Sequence, residues 1–284
     1  MSVAIVSDTC HYLPAELAER NQIHQVSLYV HRAGQAERER DLTDYDAYYR
    51  ELGEASELPT TSQPSIGDFL AVYEPLLQAG HEIVSIHLAG GMSGTVRAAE
   101  QARDQLGDLA QRVRVVDSAT ACGGEALMLL AAAAAARAGG TGAEVEDRAR
   151  EARRHLRLWF AIDTLEYLRR GGRIAGAQAW LGTALKIKPI LSVESEITPV
   201  ERVRTSRRAF EKLVGLLETC HREGSDGWVV QHIQAPEQVA ELAARGREIF
   251  GTDPVMVSEV GPVIGTHVGP GLLGAGGIPR ALMS

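Results

Sequence analysis

The run Gly-Gly-Met-Ser-Gly-Thr over 90–95 stands where an apolar stretch at 83–88 gives way to a helical pattern over 95–106. A strand, a glycine turn and a helix start make a natural anion site. Glycines let a ligand approach the backbone, and unpaired amides at the helix N-terminus meet it with the positive end of the dipole. Ser93 is placed to bind the anion directly or to cap the helix, and the pattern serves equally for a plain capped turn. A second cluster, Pro-Thr-Thr-Ser-Gln-Pro-Ser over 59–65, sets four hydroxyls around fixed proline backbone. Such loops often satisfy only their own backbone, and Ser65 is placed to cap a helix over 67–77. Arg169, Arg170 and Arg173 gather around Gly171 and Gly172 at a helix end. There they suit the C-terminal dipole or could screen an incoming carboxylate or phosphate. His267, among Gly265, Gly269 and Gly271, is the one histidine of nine whose setting stands out.

Other chemistry is poorly supported. No HExxH, Walker A, Rossmann GxGxxG or GxSxG elbow occurs at a suitable junction. Asp8, Asp117 and Asp163 each follow a strand pattern and could hold a divalent metal. Strand-end aspartates more commonly cap the following turn, so the expectation is no metal and no cofactor. Cys10 and Cys122 read as buried small side chains rather than nucleophiles.

The segments that would carry these residues alternate. Strand patterns at 3–6, 25–30, 83–88 and 113–116 are separated by helical ones at 14–20, 44–52, 67–77 and 95–106, with the clearest helix at 122–138. Nonalternating apolar strands between helices indicate a parallel sheet covered on both faces, with its site at the strands' C-terminal ends. The charged stretch 32–41 reads as solvent-facing. A charged amphipathic helix at 145–156 and a strand at 158–162 follow, and the composition changes after Leu185. Beyond it, strands at 187–191, 197–203, 228–233 and 254–260 and helices at 206–220 and 236–250 read as a less regular layer, with 261–271 as a closing glycine segment. The fold class expected is α/β in two domains. Residues 1–155 form a mostly parallel sheet with helices on both faces, and 156–284 a mixed or antiparallel α/β domain.

Composition narrows the partners. A chain of 284 residues, 45% hydrophobic with net charge −8, supports a cored globular protein and argues against a nucleic-acid partner. Three dispersed cysteines suit a reducing compartment. The opening apolar strand lacks a basic n-region, so no secretory leader is expected and the location expected is cytoplasmic. The alanine-rich run at 127–136 is too short to span a bilayer, which leaves room only for transient membrane contact.

Seven segments, in order, carry a resemblance to the DegV family of fatty-acid-binding proteins. They are Val-Ser-Asp-Thr-Cys at 6–10, Thr-Ser-Gln-Pro-Ser at 61–65, Gly-Met-Ser-Gly-Thr at 91–95, Val-Asp-Ser at 116–118, Leu-Arg-Arg-Gly-Gly-Arg-Ile at 168–174, Lys-Pro-Ile at 188–190 and Gly-Thr-His-Val-Gly-Pro-Gly at 265–271. The resemblance implies two α/β domains with a long-chain fatty acid in an apolar tunnel between them, and a fold similar to part of the dihydroxyacetone kinase family. It implies a carboxylate held by Thr61, Ser62, Ser93 and Gly94, with His267 beside the head group and Arg170 at its exit or against a partner. It further implies a binding protein rather than an enzyme, in some bacteria the lipid-holding partner of a fatty-acid kinase. One departure is visible: the family turn Ser-Ser-Gly-Leu-Ser-Gly-Thr is here Ala-Gly-Gly-Met-Ser-Gly-Thr at 89–95, two hydroxyls fewer. The alternatives are a hydrolase of acyl esters using Ser93 with His267, for which no third group is evident, and a regulatory domain with an incidental lipid.

Overall fold

The computed structural model describes residues 2–181 and 187–284, so the composition change at Leu185 lies outside the described residues. The first strand, β1 (Val3–Asp8), is followed by α1 (Ala15–Arg20), with Pro14 just before it, and by β2 (Ile23–Val26). After an excursion come α3 (Ile66–Gln78), β6 (Glu82–His87), α4 (Thr95–Asp104) and β7 (Val113–Asp117). The four strands form a parallel sheet in the order β2-β1-β6-β7. The order reverses beside β1, so the connections leaving the C-terminal ends of β1 and β6 run to opposite sides, and open α/β sheets bind ligands at such a point. Ser65 caps α3 through a reciprocal capping box with Asp68.

The excursion departs from the sequence reading. The apolar run at 25–30 is two strands: β2 ends at Val26 and β3 (Tyr29–Arg32) begins a different sheet. β3 pairs antiparallel with β4 (Gln35–Arg38) and with β5 (Thr60–Ser62), and α2 (Tyr45–Glu54) lies between those two strands in the chain. The stretch 32–41 is not wholly solvent-facing, because Glu39 is 2% exposed. Its carboxylate finds three donors in the interior, which a count of charges could not foresee.

Helix α5 (Gly123–Arg137) is buried on nearly every side, and α6 (Gly142–His155) packs along it. Its apolar surface meets Ile5, Val84 and Ile86 of the parallel sheet and also Val229, Met256 and Ile278 of a second sheet. A helix covered all round must be apolar all round, which accounts for the alanine-rich run. The opposite face of the parallel sheet is covered by α3 and α4 through Phe69, Tyr73, Ala98 and Ala99.

The second sheet is six-stranded. It begins with β8 (Arg157–Ala161); after α7 (Glu166–Arg170) come the hairpin β9 (Lys188–Glu194) and β10 (Glu196–Val203). Then follow α8 (Ser206–Arg222), β11 (Gly227–His232), α9 (Pro236–Phe250), β12 (Met256–Glu259), α10 (Pro262–Val268) and β13 (Leu273–Ile278). The order is β10-β9-β8-β13-β11-β12; among the described residues β11 and β12 pair parallel and the other neighbours antiparallel. The mixed character matches the expectation. The closing segment does not, because 261–271 contains a helix and leads into a central strand. Pro262 at the first turn and Gly269 at φ +74° delimit α10. Glycines make β13 a poor strand by propensity, yet a Cβ on Gly276 would lie 2.2 Å from the Arg157 carbonyl oxygen, so close strand packing demands glycine at that position.

Candidate functional site

Between the two large sheets and α10 lies a narrow cavity with about 80 Å³ of free interior space, opening at one end. Its walls are apolar: Leu28, Leu88, Phe160, Leu168, Val193 and Leu272 among others, with Val263, Ile264 and Val268 contributed by α10. Its polar lining gathers Thr61, Ser62, Gln63, Ser93, Arg173 and His267. Four of the expected head-group residues, Thr61, Ser62, Ser93 and His267, therefore meet at one cavity although they come from three separate parts of the chain.

The turn before α4 is braced by strand-end aspartates that accept backbone hydrogen bonds. Asp8 accepts from the amides of Cys10 (2.8 Å) and Leu88 (2.9 Å), and Asp117 from those of Gly90 (3.1 Å) and Ala119 (2.7 Å). Asp163 instead pairs with Lys188 at 2.5 Å. Among the described residues no group of His, Cys, Asp and Glu could hold a metal ion. A Cβ on Gly91 would fall 2.6 Å from the Ser195 carbonyl oxygen, so the turn is pressed against the β9–β10 hairpin. Helix α4 starts at Gly94, which has no side chain to cap it. Ser93 is thus not the N-cap; its Oγ lies 2.8 Å from Thr95 Oγ1 and accepts from the Thr95 amide at 3.3 Å. The helix start, free of an N-cap side chain, retains amide donors for an anion. Gly94 packs behind the turn, where a Cβ would lie 3.0 Å from Gln63 Nε2.

On the facing wall, His267 Nε2 and Thr61 Oγ1 are 2.7 Å apart, and Ser62 Oγ is 2.8 Å from His31 Nε2. Burial, with Arg173 nearby, pushes the His267 imidazole down to about 4, so it is neutral at pH 7. Among the described residues its Nδ1 has no hydrogen-bond partner, and it lies against Gly171, where a Cβ would come within 2.3 Å. Gly171 leaves room for the ring, and this explains the first glycine of the Arg-Arg-Gly-Gly-Arg run. Arg170 is exposed, outside the cavity lining, and donates to the Ser56 carbonyl at 2.9 Å. Arg173 lines the cavity and donates to the carbonyls of Gly171 (2.8 Å) and Met92 (3.4 Å). Sequence reasoning grouped Arg173 with its neighbours and did not single it out. Gln63 and the Glu39 latch described next were missed altogether.

Helix α10 is held at both ends by residues far away in sequence. Glu39 accepts from the Val263 amide (2.8 Å) and Tyr12 Oη (2.8 Å), and also from Thr9 Oγ1. Tyr12 Oη accepts in turn from the Ile264 amide at 3.2 Å. Burial raises the Glu39 carboxyl to about 7. Along the helix, Thr266 Oγ1 is 2.5 Å from Tyr48 Oη.

Two arrangements that evoke nucleophilic catalysis fail on geometry. No hydrogen bond joins Ser93 to His267, since each is bonded to a threonine instead. Ser85, His87 and Asp8 do form a serine–histidine–aspartate relay, at 2.7 Å and 3.2 Å. All three are fully buried, and Ser85 accepts from Tyr73 Oη at 2.7 Å, so the relay ties β1, β6 and α3 together out of reach of any substrate. Burial raises the Cys10 and Cys122 thiols well above their ordinary range. Cys10 is buried as expected, whereas Cys122 is half-buried and lines the cavity.

Comparison with known proteins defines the class. The profile of the DegV family, described as uncharacterised, matches residues 2–280, and the chain belongs to that family. It is 34% identical over 280 residues to Protein DegV of Bacillus subtilis, covering 96% of this chain and 98% of that one. A DegV domain-containing protein of Streptomyces coelicolor is 38% identical over 275 residues, covering 96% of each. Two solved structures superpose closely at 33% identity, each over 98% of this chain and 99% of its own. They are a DegV family protein from Thermus thermophilus, described for its fatty acid binding (TM-score 0.87), and DegV from Bacillus subtilis, described as a fatty acid binding protein (TM-score 0.88).

Proposed function

We propose that this protein binds one long-chain fatty acid in the cavity, its acyl chain among the apolar walls and its carboxylate at the 93–94 turn. The observation that carries the reading is an apolar cavity ending at hydroxyls, a neutral imidazole and a helix start with no N-cap side chain. About a dozen buried methylenes at about 0.8 kcal/mol each give a gross gain of about 10 kcal/mol, which the costs of association reduce. Ser93 Oγ, Thr61 Oγ1, Ser62 Oγ and the Gly94 amide supply hydrogen bonds to the carboxylate. When the His267 Nε2–H donates to Thr61 Oγ1, the Thr61 proton is released toward the ligand. Arg173 adds positive charge at the mouth.

No step of bond making is assigned to this chain; it acts as a lipid-binding protein. The head group sits next to exposed Arg170, where a fatty-acid kinase could dock and phosphorylate the carboxylate. The two halves of the cavity correspond to domains 1–155 and 156–284, and the working location is the cytoplasm. Denaturing extraction of the purified protein, followed by mass spectrometry, tests the reading. Stoichiometric long-chain acid supports it. Protein that is free of lipid and fails to bind added palmitate or oleate refutes it.

A further inference from the structure

The glycines of β13 are not equivalent. Gly276 and Gly277 are forced by packing, since a Cβ would lie 2.2 Å from the Arg157 carbonyl in the first case and 2.8 Å from that of Ser225 in the second. At Gly274 a Cβ would meet nothing closer than Phe160 Cβ at 3.5 Å, and its φ is not left-handed. Neither close approach nor backbone conformation requires glycine there.

Its neighbours explain what the missing side chain leaves open. Gly274 pairs in register with Phe160 on one side and Gln231 on the other. Residues paired across strands share a face of the sheet, so Phe160, Gly274 and Gln231 form a row with a gap at its centre. All three line the cavity, and all are buried, unlike the part-exposed Thr61, Ser93 and His267 at the polar end. Gln231 is fixed in place: Oε1 accepts from the Gly123 amide at 2.5 Å, and Nε2 donates to Ser258 Oγ at 2.9 Å. The gap is therefore bounded by an aromatic ring, an immobilised carboxamide and, through Cys122 and Leu158, the start of α5 and the next turn of β8.

We infer that Gly274 sets the depth of the cavity's apolar end and thereby the length of acyl chain the protein selects. This rests on the fatty-acid reading above. A protein interior is close-packed, so each carbon added at 274 removes room for about one chain carbon. Each methylene turned out of the cavity lowers affinity roughly fourfold.

The test compares wild type, Gly274→Ala and Gly274→Val. Delipidated proteins are titrated with saturated fatty acids in two-carbon steps, and denaturant midpoints are measured in parallel. The expected result is a stepwise shift of the preferred length toward shorter acids, larger for valine than for alanine, with long acids losing affinity and short ones keeping it. Should the valine variant fail to fold, alanine carries the test, because its Cβ makes only ordinary contacts. Unchanged length preference in a folded variant, or an equal loss at every length, overturns the inference. A wild type that binds no acid of any length sinks the fatty-acid reading instead.

Discussion

Replacing Glu39 by glutamine should change how stability depends on pH, and by an amount the structure lets one work out. Glu39 is 2% exposed and joins the N-terminal half to the first turn of α10, accepting from the Val263 amide, Tyr12 Oη and Thr9 Oγ1. Burial raises its carboxyl from an ordinary 4.5 to about 7. Between those values the unfolded chain has lost the proton that the folded protein keeps. Folding there takes up a proton, so the contribution is fully present below pH 4.5 and is lost as pH rises through about 7. At about 1.4 kcal/mol per pH unit it amounts to about 3 kcal/mol. His11 and His267, both pushed down to about 4, act in the opposite direction, because their contribution is lost as pH falls from 6.5 to 4. They are present in both proteins and cancel in the comparison. Glutamine mimics the protonated acid, accepting from Val263 and Tyr12 and donating to Thr9. Urea unfolding of both proteins at pH 4.5, 6 and 8 should then show the variant gaining about 3 kcal/mol on wild type across the range. Stability curves that run parallel with pH would refute the assignment of Glu39 as a buried, proton-holding latch.

The remaining predictions concern the mouth of the cavity. Ser93→Ala should lower fatty-acid affinity at least tenfold, the loss of about 1.5–3 kcal/mol for a hydrogen bond to a charged acceptor, while the denaturant midpoint moves little because the Thr95 amide bond it accepts is long, at 3.3 Å; unchanged affinity would reduce Ser93 to a turn residue. Gly171→Ala puts a Cβ 2.3 Å from His267 Nδ1 and should push the ring off Thr61, weakening binding by tenfold or more; an NMR imidazole signal identical to wild type would contradict this. Arg170→Glu costs only an exposed bond to Ser56 and should leave lipid content within about twofold while impairing phosphorylation by a cognate kinase; loss of the lipid would make Arg170 a binding residue.

Much of the fold was legible because its strongest signals are local. The parallel strands are continuous apolar runs, α3 carries its own capping box, and α8 repeats its apolar positions at helical spacing. The mouth was legible for a different reason: Thr61, Ser62, Ser93 and His267 lie in short motifs that a family resemblance picks out. What escaped depends on contacts across the chain. Glu39 looks like one more charge in a charged run until Val263, more than two hundred residues away, supplies a donor. β13 lies beyond the closing glycine segment read at 261–271 and draws no strand reading, because its glycines give no apolar strand pattern until β8 and β11 close on it from both sides. Ser27 and Leu28 carry no turn signature, so the break between β2 and β3 is imposed by two sheets claiming either end of one apolar run. Ser93 resembled an N-cap in sequence, and only the backbone places Gly94 in that position.

The place of β13 also governs how the molecule can be made. It runs antiparallel between β8 and β11, and without it the six-stranded sheet falls into two separate pieces. During synthesis β8 gains β9 on one edge but waits on the other for β13, more than a hundred residues downstream, while the parallel sheet already has its four strands once Asp117 has emerged. The nascent chain can therefore build one half early and must hold the other, with its apolar face uncovered, until β13 leaves the ribosome. Pairings this distant in sequence form slowly and expose intermediates to aggregation. A truncation before Leu273 thus removes a keystone rather than a tail, and its product belongs to chaperones and proteases.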